Sequence, residues 1–440
     1  MASTSIQRSR TAGSTKTKFT ISMWVKKSAN NEKYLMVNRT DDSNRGLLQF
    51  GGSDELLFQS KYSNTNNAVL QTNRKFRDTS AWYHFVLTGD STLSTAADRL
   101  KLYVNGVRET SFASETQISQ NGDFYMNEAT TNGFRIGEKG DGSDYFDGLM
   151  SHVHFTDGYA YQASTFGSTD STTGEWEINT SPSVTYGTNG FFLKMEDGTN
   201  MDLDSSSNNL TFSTNGTLTK TEDCPSNVFA TWNPLDNYYA ASTFSNGNTS
   251  LTSGGSGIET YNTSTLGMSS GKYYMELKHN GGSASPFRQL VGITQNPTDA
   301  AGQYLGGDNN DSWGYYDYNG GVAHNASTVV TYSTWTQNDI IGVAVDLDNS
   351  KLFFSKNGTW QNSSDPANGT NGISIDSGVT YYFAWGDLTT HSNYCQANFG
   401  NGYFGTTQVS SAGTNASGNG IFEYDVPTGY TALSTKGLNL

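Results

Sequence analysis

The clearest signals for strands and a turn lie in DIIGVAVDLDNSKLFFSKNGTW, residues 339–360. An apolar run, a polar gap and an alternating run lead to Asn357-Gly358, a pair that supplies the two positive-φ positions of a type I′ turn. A second stretch, WYHFVLTGDSTLSTAADRLKLYVNGVRE at residues 82–109, has the same order and ends at Asn105-Gly106. Each stretch predicts a buried strand and a hairpin within one antiparallel sheet, and hairpin physics explains the similarity without a duplication.

The composition favours an all-β protein with many turns. The chain has 440 residues, with 48 Gly, 25 Tyr, 23 Phe and only 15% charged residues, and this length accommodates two or three domains. In FTISMWVK, period-2 alternation places Phe19, Ile21, Met23 and Val25 on one face of a strand. We predict an all-β fold with two antiparallel, jelly-roll-like β-sandwich domains in tandem.

The two cysteines and the apolar runs say little about export. Cys224 and Cys395 are too few for a disulfide framework, so one long-range bridge and two free buried thiols both stay open. The N-terminal MASTSIQRSRTAGSTKTK has no apolar core, so no secretory signal is expected. Runs such as IIGVAV have the length of a strand, whereas a membrane helix needs roughly 20 residues. We expect no membrane insertion.

Charge is distributed unevenly along the chain. Residues 1–39 contain eight Lys or Arg and one acid, which gives +7, so the rest carries −22 of the net −15. An acidic body argues against nucleic-acid binding. Arg8, Arg10, Lys16 and Lys18 are candidates for docking on an acidic protein partner. The alternative is that they are solvated charges on loops and strand faces.

The first part of the chain resembles the laminin-G or pentraxin type of concanavalin A-like jelly roll. The motifs are FTISMWVK, WYHFVLT, LKLYVNG, FRIG and FDGLMSHVHF, over about residues 5–165. MDLDSSSNNLTF, residues 201–212, resembles the opening strand and turn of such a domain. It either completes the sandwich from its C-terminal side, as in a circular permutation, or is a linker with one added strand. We place this domain at residues 1–215.

The last part resembles a SPRY domain, a second bent two-sheet sandwich. SWGYYDYNGG, NDIIGVAVDLDNSKLFFSKNGTW and CQANFGNGYF carry the resemblance. It implies that Trp313 and Tyr315 pack in the core. We place this domain at residues 256–440 and predict that residues 216–255, which end in a Gly/Ser-rich run, form a linker.

The whole chain resembles virion proteins of marine tailed bacteriophages, such as tail-fibre or appendage proteins. FTDGYAYQASTFGSTDSTTGEW, TWNPLD, GMSSGKYYME and PTGYTALSTKGL carry this resemblance. It implies a non-enzymatic structural protein, assembled in the host cytoplasm, that contacts capsid or tail proteins and mediates attachment to a host-surface glycan or protein. A homo-oligomer is expected, and phage fibres are commonly trimers. The alternatives are a decoration protein without receptor binding and a carbohydrate-active enzyme.

Enzyme signatures are weak in this sequence. The glucanase pattern E-x-D-x-x-E is absent, and Glu175 and Glu177 share a strand face without a third carboxylate. His152 and His154 alternate on one strand, but no third metal ligand is evident nearby. We therefore expect no catalytic residues.

Calcium is the one cofactor that the laminin-G resemblance raises, since such domains often bind it in rim loops. The candidate ligands are Asp141, Asp144 and Asp147 in DGSDYFDG, with Asp202 and Asp204 as a second loop. Acidic turns of this kind are also typical of solvated β-loops, so the chain is expected to bind either no cofactor or Ca²⁺.

The candidate glycan or receptor site lies in GGDNNDSWGYYDYNGG, residues 306–321. Sugars bind to aromatic faces and to the hydrogen-bonding groups of Asn, Asp and Gln. Tyr316 and Tyr318 alternate and share a face, and Asn319 follows them. These three residues are the predicted recognition residues.

Overall fold

Two units make up the chain, unit 1 (Met1–Lys220) and unit 2 (Thr221–Leu440). The structure, a computed structural model, describes residues 3–10, 15–235, 242–254, 260–283, 285, 287–297, 304–307, 310–388 and 392–439. In these residues the regular structure is β-strand, apart from short 3₁₀ turns at Ala96–Asp98, Tyr125–Asn127, Ala163–Thr165, Gln361–Ser363 and Gly437–Asn439. The predicted all-β fold is confirmed.

The strands of unit 1 are β1 (Ser5–Arg10), β2 (Lys18–Lys27), β3 (Lys33–Asp41), β4 (Asn44–Phe50), β5 (Glu55–Tyr62), β6 (Thr65–Lys75), β7 (Trp82–Asp90), β8 (Leu100–Val104), β9 (Val107–Arg108), β10 (Phe112–Thr116), β11 (Thr130–Ile136), β12 (Gly148–Asp157), β13 (Gly167–Thr169), β14 (Trp176–Ile178), β15 (Phe191–Leu193) and β16 (Ser213–Asn215). Within the described ranges they form an eight-stranded sheet, β10-β6-β5-β4-β3-β11-β1-β16, a six-stranded sheet, β15-β12-β2-β7-β8-β9, and the pair β13-β14.

The core of unit 1 lies between its two large sheets and is built from alternate residues of each strand. The predicted face of β2, with Phe19, Ile21, Met23 and Val25, is buried in it, as are the alternating apolar residues of β8. The Asn105-Gly106 turn has positive φ at both residues, 46° and 77°, as a type I′ turn requires. Sequence alternation therefore located this core correctly.

The outer face of the six-stranded sheet is covered by residues 159–186, which we call the unit 1 cover. Thr20 of β2 accepts the backbone N–H of Tyr161 at 2.9 Å. Ala163 and Phe166 are buried against Val86 of β7. Both faces of this sheet are consequently shielded from water, which explains why almost every residue of β2 is buried.

The end of unit 1 returns to its beginning. β16 pairs with β1, with Ser213 opposite Gln7. Before it, Asp204 forms a bridge with Leu193 and accepts the backbone N–H of Phe192 at 2.9 Å. Residues 201–215 therefore belong to the first sandwich and add a short C-terminal strand next to the N-terminal one.

The strands of unit 2 are β17 (Thr243–Ser245), β18 (Ser250–Thr252), β19 (Thr260–Thr263), β20 (Lys272–Gly282), β21 (Gln289–Thr294), β22 (Ser312–Tyr316), β23 (Gly321–His324), β24 (Ser327–Thr331), β25 (Ile340–Asp346), β26 (Lys351–Lys356), β27 (Thr359–Trp360), β28 (Ile373–Ser374), β29 (Tyr382–Asp387), β30 (Asn393–Asn398), β31 (Tyr403–Phe404), β32 (Thr407–Gln408) and β33 (Thr431–Ala432). In the described part of the unit, one sheet runs β17-β18-β30-β20-β25-β26-β27, with β28 on β26 and β33 parallel to β20. The other runs β19-β29-β21-β22-β23-β24, and β31 pairs with β32.

The hairpin predicted at residues 339–360 forms in unit 2. β25 pairs with β26, and Asn357 and Gly358 have φ of 48° and 77°. Leu352 and Phe354 face the core between the sheets. The opposite face of this sheet is covered by residues 421–430, the unit 2 cover, whose Phe422 is buried in an apolar cluster with strand residues.

The predicted linker over residues 216–255 is wrong for the part that the structure describes. Residues from Thr221 belong to unit 2. Trp232 is fully buried in the core of that unit, and β18 pairs with β30. The polar Gly/Ser composition was misleading, because two buried aromatic residues, Phe229 and Trp232, anchor this segment. Both cysteines lie in unit 2 as free thiols, with Cys395 buried.

Candidate functional site

The predicted recognition residues lie at the end of β22 and in the turn that follows. Tyr318 is the more accessible of the two tyrosines, with 58% of its surface exposed, and its ring centroid lies 6.1 Å from that of the half-buried Tyr316. Trp313 and Tyr315 point to the other face and are buried in the core. As the sequence predicts, Trp313 and Tyr315 belong to the core, whereas Tyr316 and Tyr318 lie on the opposite side of the strand.

Arg288 completes this surface, which we call the Tyr318 surface. Its guanidinium lies 5.3 Å from the centroid of the Tyr318 ring, within the range of a cation–π interaction. Burial raises the pKa of Tyr316 to about 12, an effect that Arg288 partly offsets. Asn319 is exposed, and its Oδ1 accepts the Gly321 N–H at 2.8 Å. The surface thus combines aromatic rings, one cation and one amide.

A buried carboxylate fixes the position of Arg288. Asp317 Oδ2 accepts the Arg288 backbone N–H at 3.2 Å and lies 3.4 Å from Nε2 of the buried His279. Burial raises the pKa of Asp317. Arg288 has φ of 75°, in the left-handed region that residues other than glycine rarely adopt. Asp317 therefore stabilises a strained backbone that places a cation over Tyr318.

Sequence reasoning missed Arg288. It precedes β21, and only the pairing of β21 with β22, with Leu290 opposite Tyr316, brings it to the tyrosines. No local pattern around an isolated arginine marks such a partner. The chemistry of the surface suits binding of a sugar or a polar epitope by stacking and hydrogen bonds.

The four basic docking candidates of unit 1 do not form a basic patch. The Arg10 guanidinium is fully buried, where it donates to Met126 O and lies 3.2 Å from Asp157 Oδ1. Docking by Arg10 is therefore wrong, because a buried ion pair holds this side chain. Lys16 pairs with Glu128 at 2.6 Å, and Lys18 pairs with Asp90 at 3.1 Å. Each of these charges is balanced within the unit.

Arg8 differs from the other three basic candidates. Arg8 is partly buried, and its buried Nη1 makes no hydrogen bond with any described residue. Burial lowers the pKa of Arg8.

Two of the three predicted calcium ligands lie close together, because the Ser143 hydroxyl lies 2.5 Å from Asp141 Oδ1 and 3.3 Å from Asp144 Oδ2. Asp141 Oδ2 lies 3.2 Å from Arg39 Nη1 and 3.4 Å from Lys139 Nζ. Asp144 is also near Lys139, at 3.9 Å, and burial raises the pKa of Asp147. Across the described ranges, no group of three or more His, Cys, Asp or Glu side chains could hold a metal ion. Lys139 lies next to both Asp141 and Asp144, and a calcium site on these three carboxylates stays a prediction.

The histidine pair of β12 is structural. A bulge between Ser151 and His154 breaks the alternation, and His152 has φ of 49°. His154 is buried, stacks on Phe192 with a 3.9 Å centroid distance and has Nδ1 3.0 Å from the Tyr186 hydroxyl. These contacts hold the His154 imidazole in the packed interior.

Comparison with known families assigns a domain to each unit. A concanavalin A-like lectin/glucanase superfamily model of the laminin-G type matches residues 2–165, and a SPRY domain model matches residues 272–367. Unit 1 therefore contains a laminin-G-like domain and unit 2 a SPRY domain, and both kinds are typical of binding or recognition modules. No curated protein matches the chain.

Several solved structures are similar to part of this chain. The SPRY domain of human HERC1 is 22% identical, with a TM-score of 0.32, and the match covers 38% of this chain and 96% of that one. Stonustoxin is 19% identical, with a TM-score of 0.29, over 40% of this chain and 27% of that one. The TRIM65 PSpry domain is 14% identical, with a TM-score of 0.29, and the match covers 38% of this chain and 88% of that one.

The described residues include no helix long and apolar enough to cross a membrane.

Proposed function

We propose that this chain is a non-enzymatic virion structural protein, a tail fibre, appendage or capsid-attached fibre, that mediates attachment by recognising a host-surface glycan. The virion setting is supported by the resemblance of the whole sequence to structural proteins of marine tailed bacteriophages. The recognition step is supported by the two binding-type domains. One observation carries it, namely the exposed Tyr318 ring beneath the Arg288 guanidinium.

The Tyr318 surface suits a saccharide with an acidic or strongly polar substituent. The tyrosine face would stack on the apolar face of a sugar ring, while Arg288 and Asn319 would bind its oxygen atoms. Because Asp317 holds the Arg288 backbone in place, little of the surface has to be ordered on binding.

A glycan array with the full chain tests this proposal. We expect binding to a host polysaccharide and about tenfold weaker binding for Tyr318→Ala, the loss of roughly one aromatic contact. Tyr159→Ala is the matched control, because Tyr159 is also an exposed tyrosine but lies in unit 1. Its binding should be unchanged.

Two other outcomes would favour the alternatives. Absence of binding to every host polysaccharide, together with localisation of the chain on the particle by electron microscopy, would favour a decoration protein. Depolymerisation of a polysaccharide by the purified chain would favour a carbohydrate-active enzyme and would contradict the non-enzymatic role.

A further inference from the structure

Lys27 extends the core-facing row of β2. It lies two residues after the buried Val25, so the alternation of the strand turns its side chain towards the core. Only 1% of this side chain is exposed, whereas Lys16 and Lys75, which also form ion pairs, keep 40% and 37% exposed. Its Nζ lies 4.6 Å from the centroid of the Phe50 ring, and burial lowers the pKa of Lys27. The amine therefore lies where water is largely excluded.

Asp54 meets this amine from the other sheet. It lies in the turn between β4 and β5, and its Oδ1 is 2.9 Å from Lys27 Nζ. The Phe76 backbone holds both partners, since its N–H donates to Asp54 O at 2.8 Å and its carbonyl accepts Lys27 Nζ at 3.0 Å. Asp54 has φ of 65°, in the left-handed region that is uncommon for residues other than glycine. An amine and a carboxyl group are thus held in contact across the sandwich.

Arg77 distinguishes the two oxygens of this carboxylate. Its Nε lies 3.2 Å from Asp54 Oδ2, while Oδ1 faces the lysine. A guanidinium at Oδ2 stabilises negative charge on that oxygen, as hydrogen-bond donors do for the tetrahedral intermediates of acyl transfer. The Arg77 side chain is 63% exposed, so this effect is weaker than in a closed site. The three side chains have the arrangement of nucleophile, electrophile and charge stabiliser that amide formation needs.

We propose that Lys27 and Asp54 form an intramolecular isopeptide bond, which covalently joins the two sheets of unit 1. A proton first moves from Nζ to Oδ1 along their hydrogen bond, because burial away from water disfavours the charged forms of both groups. Nζ then attacks Cγ, while Arg77 stabilises the charge on Oδ2. The Cγ–Oδ1 bond breaks, and Oδ1 takes a second proton from Nζ and leaves as water. The step needs no oxidant, reductant or further reactant.

The bond would change how unit 1 responds to force. An ion pair between β2 and the β4–β5 turn can open when the two sheets are pulled apart, whereas an amide bond cannot. Such a link suits a protein that holds a particle to a surface. The inference rests on contacts within unit 1, however, and does not depend on glycan recognition at the Tyr318 surface. Either proposal can fail alone, since one is read from a mass and the other from binding.

Intact-mass spectrometry of the purified full chain tests the proposal. We expect a mass below that of the sequence by one water molecule, and a digest in which the peptides that contain Lys27 and Asp54 are joined. Lys27→Met removes the nucleophile, so this variant should have the full mass of its own sequence and no joined peptide. The Lys272–Asp346 pair of unit 2 is an internal control, because its Nζ–Oδ2 distance is also 2.9 Å but 24% of the lysine side chain is exposed. It should remain unlinked.

The rate of formation tests the role of Arg77. The full chain would be made by cell-free synthesis and sampled over time. Arg77→Met removes the guanidinium from Oδ2, and we expect the joined peptide to form about 10- to 100-fold more slowly. Arg74→Met is the matched control, since Arg74 pairs with Glu109 and its loss should leave the rate unchanged. Equal rates for the wild type and Arg77→Met would overturn the assignment of Arg77.

Two results would overturn the proposal itself. A wild-type chain that keeps its full mass after prolonged incubation contains an ion pair only. A loss of one water molecule that persists in Lys27→Met arises elsewhere, for example from a succinimide at an Asp-Gly pair. The wild-type measurement needs no variant to fold, so the proposal stays testable even if Lys27→Met is unfolded.

Discussion

The two Asn-Gly hairpins are built alike but are covered differently. In unit 1, Asn105 donates its backbone N–H to His84 O at 2.9 Å and accepts the His84 N–H on Oδ1 at 2.8 Å. In unit 2, Asn357 makes the same two bonds to Ile340, both at 2.8 Å. The asparagine side chain thus ties the turn to the preceding strand in both units.

The difference lies in the polar group that anchors each cover. In unit 1, Trp176 donates its indole N–H to Nδ1 of the buried His84 at 2.8 Å, so the neutral imidazole keeps its proton on Nε2. In unit 2, the backbone N–H groups of Glu423 and Tyr424 each bind a carboxylate oxygen of the buried Glu276 at 2.8 Å. Similar hairpins therefore accompany different anchors for the covers: the neutral His84 imidazole in unit 1 and the Glu276 carboxyl group in unit 2.

The largest expected effect comes from removing the acidic anchor. Glu276→Ala leaves the part-buried N–H groups of Glu423 and Tyr424 without an acceptor, so we expect the free energy of unfolding of unit 2 to fall by about 3–5 kcal/mol. Denaturant unfolding of the full chain would measure this. Glu423→Ala is the control, because alanine retains the backbone donor, and it should cost less than about 1 kcal/mol. Similar losses for both variants would contradict the anchor role.

The turn glycines should show the next largest effect. Gly106 and Gly358 both have φ of 77°, and an added Cβ would overlap the Trp176 ring at the first and the Tyr424 ring at the second. We expect Gly106→Ala and Gly358→Ala each to lower the free energy of unfolding by about 2–4 kcal/mol, from backbone strain and overpacking together.

Gly174 and Gly378 are controls that distinguish backbone strain from overpacking. Both have positive φ, 76° and 73°, with no atom within 4 Å of an added Cβ. Their alanine variants should introduce only backbone strain and lower the free energy of unfolding by about 1–2 kcal/mol. If Gly106→Ala and Gly358→Ala lose no more stability than these controls, the covers do not overpack against the turns.

The smallest effect is a difference in pH dependence between the units. Burial lowers the pKa of His84 to about 3 from its ordinary 6.5, so between these values only the unfolded chain binds the proton. Burial, opposed by its hydrogen bonds, raises the pKa of Glu276 to about 7 from 4.5, so between these values only the folded chain binds it. As the pH is lowered from 6.5 to 4.5, proton binding should therefore destabilise unit 1 through His84 and stabilise unit 2 through Glu276.

Hydrogen exchange can follow both covers in one sample. Each contribution has a limiting slope of about 1.4 kcal/mol per pH unit. Protection factors in residues 159–186 should fall, and those in residues 421–430 should rise, as the pH is lowered through this window. Glu276→Gln should abolish the rise in unit 2 only. Parallel behaviour of the two covers in the wild type would contradict the assignment of the anchors.

Much of the fold could be predicted because it depends on local patterns. Alternation over β2 and Asn-Gly at two turns identify core faces and hairpins from neighbouring residues alone. The covers could not be predicted, since residues 159–186 and 421–430 contain little regular structure and gain their positions from distant contacts. The Trp176–His84 bond, for example, joins residues 92 positions apart.

The site was predictable only in part for the same reason. Tyr316 and Tyr318 are adjacent in an aromatic motif, whereas Arg288 reaches them only through strand pairing. Arg10 looked like a surface charge because its partner, Asp157, lies 147 positions away. Composition shows that a charge exists but not whether the fold neutralises it inside the core.

The position of β1 has a consequence for synthesis of the chain. β1 lies between β11 and β16, so its sheet partners, at residues 130–136 and 213–215, are synthesised long after β1 itself. Until those residues emerge, β1 has an unpaired edge that can join foreign strands. Unit 1 should therefore fold late and slowly for its size, and translation that stalls before Ser213 should yield an aggregation-prone nascent chain.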